Sequence, residues 1–381
     1  MLKLFFSVNH SGCAWWRGRQ PAEMIKKLGL AEVEIFSQYD TGRDDIKGIL
    51  EWCDMVVAQS PAGVDSVALS VQYQKMGKVV IADYDDLVYS CSPFNPAYKT
   101  LGTKNVTVKD VNGVEHDLWR DGVLGFSIKD NYFRMRAQED LFKVVDGVTV
   151  TTELLKEQYI KENPHLKGLV EVIPNSIDFD LFRPFAKKDT GKIRIGWVTS
   201  SSHMNELWIV KNVMQKILNK YGDKVIFVQQ GDLTELKKVF KPEQFEFHNF
   251  IDLNIYPLKF ASLNLDIGIC PLVDDEFNRH KSQLKWSEYA SMKVPAVCSD
   301  LPPYSCVKDG VTGYLAKTEE EFFNKLCKLI DDKAHREAVG QAAYDENRLN
   351  FNLETTARKW VKFYEDSYNR VFGLNRKKTR R

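Results

Sequence analysis

Apolar and polar positions along the chain alternate between two periods. Short runs rich in Val, Ile and Phe are separated by stretches with apolar residues at helical spacing, which is the pattern of parallel strands joined by helices. In the first half the runs Lys3–Val8, Val33–Ser37, Met55–Ala58, Val79–Asp83, Gly147–Thr151 and Leu169–Pro174 read as strands. Gln20–Leu28, Val64–Lys75, Asn131–Val145 and Glu153–Lys161 read as helices. The pattern restarts with strands at Ile193–Val198, Val225–Gln229, Phe245–Phe250, Asp266–Pro271 and Pro295–Ser299. The helices expected between them are Asn205–Lys220, Leu233–Phe240, Ile255–Leu263 and Ser282–Met292. Two doubly wound, Rossmann-like α/β domains are the simplest architecture, with the seam in the aperiodic Asn175–Thr190. The expected domains are 1–178 and 179–350, then a helix over 351–372 and a basic tail over 373–381. An insertion near 91–129 breaks the first alternation and carries a hairpin signal at Asn112-Gly113.

The length of 381 residues suits two domains. The formal net charge of +1 excludes a generically basic nucleic-acid coat. It is also a cancellation. Residues 1–178 carry 20 Lys+Arg and 25 Asp+Glu, a net of −5, and the remainder a net of +6, of which the tail supplies +5. The seven cysteines form no C-x-x-C pair and sit largely in apolar runs, as reduced buried thiols of a cytoplasmic protein do. No apolar run reaches the roughly 18 residues of a membrane-spanning helix. The apolar part of the N-terminus is too short for a signal peptide.

Function in such a fold gathers at the carboxyl ends of the strands, here expected to face each other across a cleft. Four stretches there bear chemistry. NHSGCAWWRGR follows the first strand, with Gly12 and Gly18 for tight turns and Arg17 and Arg19 as planar anion donors. VVIADYDDL ends a strand in Asp83, Asp85 and Asp86, which are candidates to take a proton from an acceptor hydroxyl or to bind sugar hydroxyls. WVTSSSHMNEL places Ser200, Ser201 and His203 where they would cap a helix and expose its amides to an anion. HKSQLKWSEYASMKVPAV opens a helix with Lys281, Ser282 and Lys285. Glu288 lies one turn on, suited to two vicinal hydroxyls such as those of a ribose. No ligand cluster points to a metal.

VIPNSIDFDLFRP, LNLDIGICPL and KSQLKWSEYASMKVPAVCSDLPPYSCVKDGVTGYLA together resemble retaining, GT-B-fold glycosyltransferases. The family is the group 1 (family 4-like) set that includes sucrose and mannosyl transferases. EYASMKVPAV is similar to the family's E-A-M-A-x-G-x-P-V at Glu288 and Pro295, and Asp309-Gly310 with Thr312-Gly313 to its d-G-x-T-G run. GCAWWRGRQPAEM and DYDDLVYSCSPFNPAY resemble phage-encoded members. The resemblance implies a nucleotide-diphosphate sugar as co-substrate, retention at the anomeric carbon, no resident cofactor or metal, and a C-terminal helix that crosses back onto the first domain. It assigns Glu288 to the nucleotide ribose. The chain departs from the family in two places. His280 stands where the first acid of E-x7-E belongs, with Glu276 the nearby acid in the loop. TSSSH stands where an Arg and a Lys are usual, which leaves Lys281 and Lys285 to meet the diphosphate. For the acceptor the sequence leaves several classes open. One is a 5-hydroxymethylated base in phage DNA, in host cytoplasm. Another is a surface glycan or lipid-linked saccharide. A nucleotide-sugar-binding pseudoenzyme is the non-enzymatic alternative.

Overall fold

The computed structural model describes residues 1–9, 12–37, 45–110 and 112–378, with side chains given as far as 373. The chain forms two compact units. One comprises Met1–Ser90, Lys99–Ser176 and Leu353–Arg381, and the other Cys91–Tyr98 and Ile177–Asn352.

The first unit is built on β1 (Lys3–Val8), β2 (Glu32–Ser37), β3 (Met55–Gln59), β4 (Val79–Tyr84), β7 (Gly147–Val150) and β8 (Val170–Val172). They form one parallel sheet in the order β2-β1-β3-β4-β7-β8. Residues of one parity (Leu4, Phe6, Val8, Met55, Val57) pack with the C-terminal helix Leu353–Lys378 through Trp360 and Tyr364. Those of the other parity (Val80, Ala82, Tyr84, Val148) pack on Leu141, Phe142 and Tyr159 of two further helices. Burial on both faces explains why the strands read as continuous apolar runs. Gly147 lies against Phe363 and Ser367, so the last helix sits directly on a strand that has no side chain there. The insertion folds as a separate antiparallel hairpin, β5 (Val106–Lys109) with β6 (Glu115–Trp119). Gly113 turns it at φ 81°, and Asp110 Oδ1 accepts from the amides of Asn112 and Val114.

The second unit repeats the scheme with β9 (Ile193–Val198), β10 (Val225–Gly231), β11 (Phe245–Asn249), β12 (Ile267–Cys270), β13 (Ala296–Ser299) and β14 (Tyr314–Ala316). Its order is β11-β10-β9-β12-β13-β14, all parallel. No helix among the described residues is long and apolar enough to cross a membrane.

Several sequence expectations are corrected. Asn9–Arg19 is not an open loop in its described part. Gly12–Ala14 is helical, and Trp15–Arg19 forms a π turn that runs into the helix Gln20–Lys27. Leu233–Phe240 holds only a short 3-10 turn, Glu235–Lys238. The helices Ile46–Trp52, Glu319–Asp331 and Lys333–Asn350 were not expected, whereas β14 follows directly on the Asp309–Gly313 run, as a strand lead-in implies. The basic side chains of the tail lie outside the described residues.

Candidate active site

β4 is buried along all six residues, so Asp83 is carried into the interior of the first unit. A buried carboxylate needs a partner, and Arg17 supplies it. Its Nη2 lies 2.6 Å from Asp83 Oδ1 and its Nε donates to Oδ2 at 3.1 Å. Thr149 Oγ1 donates to Oδ1 at 2.7 Å. The remaining Arg17 nitrogen donates to the Ile173 carbonyl at 2.5 Å, and the guanidinium lies 4.6 Å from the Trp360 ring centre. Arg17 and Asp83 are 1% and 0% exposed. The π turn directs Arg17 inward, and Gly18 makes that turn fit because a Cβ there would meet Val8. A Cβ at Gly12 would meet nothing within 4 Å, so of the two turn glycines the sequence offers only Gly18 is held by a close approach. This pair explains two of the candidate residues as an internal tie rather than as groups facing a substrate.

Asp85 and Asp86 lie just past the strand end and are half-buried. Burial pushes the Asp85 carboxyl up to about 7. The charge of Asp86 adds to the shift, and a hydrogen bond from Cys13 opposes it. A carboxyl with that value is populated in both protonation states near neutrality, as a proton-transferring group must be. Cys13, Asp85 and Asp86 also place one ligand atom each within 4.8 Å of one another. Cys13 was passed over in the sequence because nothing local marks a thiol that meets an aspartate 72 residues away.

In the second unit the loop after β9 passes against Gly231, whose φ of 148° and missing Cβ allow the Thr199 carbonyl to approach. Ser201–Glu206 then forms a 3-10 turn, and the α-helix begins only at Leu207. Ser200 makes no side-chain cap bond; its hydroxyl meets that of Ser202 at 2.8 Å. Ser201 opens the turn. His203 Nδ1 lies 3.5 Å from Glu206 Oε2. Burial, and then the charge of Lys281, push the imidazole down to about 4, so it is neutral at ordinary pH.

Glu206 is buried and was not singled out in the sequence. Its Oε1 accepts from the Val273 amide (3.1 Å) and from Asn278 Nδ2 (2.8 Å), which ties the turn after β9 to the loop after β12. Burial alone would raise its carboxyl; the hydrogen bond of His203 and the charge of Lys281 bring it below the usual range.

The helix expected from Ser282 runs from Leu284 to Ser291, so Lys281 and Ser282 precede it. The Lys281 ammonium lies 4.8 Å from the Phe277 ring. Lys285 pairs with Glu288 at 2.9 Å, with side-chain exposures of 29% and 1%. Tyr256 donates to Glu288 Oε1 at 2.7 Å. The helix is fixed to the sheet by Tyr289, whose hydroxyl accepts from the Val198 amide and donates to the Gly196 carbonyl. Gly268 makes room for that ring. Lys281 and Lys285 both act on the His203 imidazole, so His203, Lys281, Lys285 and Glu288 form one cluster at the carboxyl end of this sheet.

Two parallel sheets in this order, each covered by helices, with the final helix packed in the first unit, define the GT-B architecture. Residues 193–332 match the family Glycosyl transferases group 1, so the second unit carries a domain of that family. Solved structures share the fold across the chain. HepE from Anabaena, in complex with UDP and glucose, is 13% identical with a TM-score of 0.63, over 96% of this chain and 100% of that one. Sucrose-phosphate synthase from Thermosynechococcus elongatus is 13% identical with a TM-score of 0.67, over 98% and 100%. A glycosyltransferase from Rickettsia africae is 14% identical with a TM-score of 0.62, over 96% and 98%. No curated protein matches the chain in sequence.

Proposed function

We propose that the protein is a glycosyltransferase that moves a sugar from a nucleotide-diphosphate sugar to a hydroxyl acceptor with retention of configuration. The observation that carries this reading is the cluster of Lys281, Lys285, neutral His203 and buried Glu288 in the unit that holds the family domain. As the bond from the anomeric carbon to the diphosphate breaks, two ammonium groups meet the charge that develops on the leaving oxygen. Neutral His203 donates a hydrogen bond without adding charge. Glu288, oriented by Tyr256, accepts from the ribose hydroxyls. The acceptor oxygen forms the new bond and its proton passes to a base, a role for which Asp85 has a matched proton affinity. The lysines supply the positive charge, so the proposal requires no resident metal or cofactor.

The test is a donor-by-acceptor screen. UDP-glucose and other labelled nucleotide sugars are incubated with alkyl glycosides, glycans, and duplex DNA with and without 5-hydroxymethylcytosine. Product configuration is read by proton NMR. Lys285→Ala and Glu288→Ala should lower transfer strongly, and EDTA should leave it unchanged. Loss of activity in EDTA would show that an ion is essential and overturn the metal-free reading. Donor binding without turnover on any acceptor would replace the enzyme with a binding protein.

A further inference from the structure

The first unit contains a cavity of about 580 Å³ between its sheet and the helices Ile46–Trp52 and Val64–Lys75. The volume lies within the range of small-molecule sites. Its apolar wall includes Phe5 and Val56 from inner strands, Phe36 from the edge strand β2, and Leu69 from the longer helix. Its polar side chains are Ser7 near the end of β1, Gln59 at the end of β3, Ser60 just after it, and Ser66, Ser70 and Tyr73 along the helix; the Ser66 and Ser70 hydroxyls donate to the carbonyls of Ala62 and Ser66. Ser60 sits at φ 45°, a backbone conformation a β-substituted residue rarely adopts, and its Oγ accepts from Gln59 Nε2 at 2.8 Å. Among the described residues none that lines the cavity is charged. Ser7, Val8, Gln59 and Ser60 place part of its lining where β1 and β3 end side by side. Chain order reverses there, because β1 leads to β2 on one side of the sheet and β3 follows on the other. Such a switch point is where open α/β sheets bind ligands.

We infer that this cavity binds a neutral amphipathic small molecule, with its apolar body between sheet and helices and a hydroxyl-bearing head at Ser7 and Ser60. The absence of a charged side chain among the described lining residues argues for neutrality, because a charge placed against them would lose its hydration with no counter-charge to replace it. With Ser66 and Ser70 donating to backbone carbonyls, the hydroxyls of a free hexose would outnumber the partners left at Ser7, Gln59, Ser60 and Tyr73. Resting on the glycosyltransferase reading, the occupant is the apolar aglycone of the acceptor. The binding itself does not depend on that reading.

The test separates the two claims by using binding rather than turnover. The intact protein is titrated calorimetrically with n-octyl β-D-glucoside below its micelle concentration, with glucose, and with octyl phosphate. UDP is titrated in parallel to report on the second unit. Octyl glucoside should bind, and glucose and octyl phosphate should bind at least ten-fold more weakly. Ala58→Phe, which fills the cavity from β3, should abolish octyl glucoside binding and leave UDP binding unchanged. Should that variant fold poorly, Leu69→Glu sets a charge on a half-exposed wall and should weaken octyl glucoside by about ten-fold. Equal binding of octyl phosphate overturns the neutral assignment. Octyl glucoside binding that both folded variants retain overturns the site. Loss of UDP binding in the wild type would count against the glycosyltransferase reading and leave the cavity proposal standing.

Discussion

The two units place an acid–base pair near the carboxyl end of the same kind of sheet and use it in opposite ways. Arg17–Asp83 is sealed at 1% and 0% exposure, and hydrogen bonds hold it: two within the pair, one to the Ile173 carbonyl and one from Thr149. Lys285–Glu288 buries its acid but leaves its base 29% exposed. A sealed pair has exchanged water for fixed partners and has nothing to offer a ligand. A pair open on its cationic side can trade its partner for a phosphate. Exposure of the base, not the presence of the charges, separates a structural tie from a binding group.

The largest effect should come from opening the sealed pair. Arg17→Met leaves Asp83 buried and uncompensated, which costs about 3–5 kcal/mol. Urea unfolding should show that loss, and Arg17→Met/Asp83→Asn should regain part of it. If Arg17→Met kept its stability and lost transfer instead, Arg17 would belong with the binding groups and the contrast would collapse.

The open pair should behave in the reverse sense. Glu288→Gln keeps a partner for Tyr256 but removes the charge, and it should lower kcat/KM by about 100-fold. Stability should fall by no more than about 1–2 kcal/mol. Unfolding and steady-state kinetics on the same preparation check both halves.

This contrast also marks how far the sequence could be read. The strands were legible because parallel strands covered on both faces are unbroken apolar runs. Lys285 and Glu288 were legible because three residues on a helix set them on one side. Arg17 and Asp83 carried the same residue types as a binding site, and only the π turn at Trp15–Arg19 and the complete burial of β4 show that they face each other. Glu206 and Cys13 were missed for a related reason. Their partners, Asn278 and Asp85, are 72 residues away along the chain, and no local spacing encodes such a contact. The 3-10 turn at Ser201–Glu206 had the composition of an N-cap, yet with its i→i+3 bond from the His203 amide to the Ser200 carbonyl it fills those six residues, and the α-helix expected from Asn205 starts at Leu207.

Asp85 provides a smaller effect with a definite sign. Its folded carboxyl is raised to about 7 from an ordinary 3.8. Between those values the unfolded chain has lost a proton that the folded chain still holds. Stability is therefore full below about pH 4 and falls as pH rises toward 7. Asp85→Asn has no such titration. It should be more stable than the wild type at pH 7 by about 2 kcal/mol, with the gap closing toward pH 4. Thermal unfolding at several pH values measures this. Transfer should fall in the same variant if Asp85 handles the acceptor proton, and rise or stay level if it does not.

His203 should give the smallest effect, in the opposite direction on the pH axis. Its imidazole is depressed to about 4, by burial first and by Lys281 second, against an ordinary 6.5. Here the unfolded chain takes up the proton first. The contribution to stability is complete above about pH 6.5 and is lost as pH falls toward 4. The imidazole carbon-bound protons should titrate near 4 by NMR and show no step between pH 6 and 8. His203→Gln retains a hydrogen-bond donor without a titrating group, so transfer should stay within about three-fold of the wild type over that range. A larger loss confined to the low-pH end of that range would mean that a bound diphosphate raises the imidazole and recruits its positive charge. The open cluster would then contain a third cation, and its contrast with the sealed pair would be sharper still.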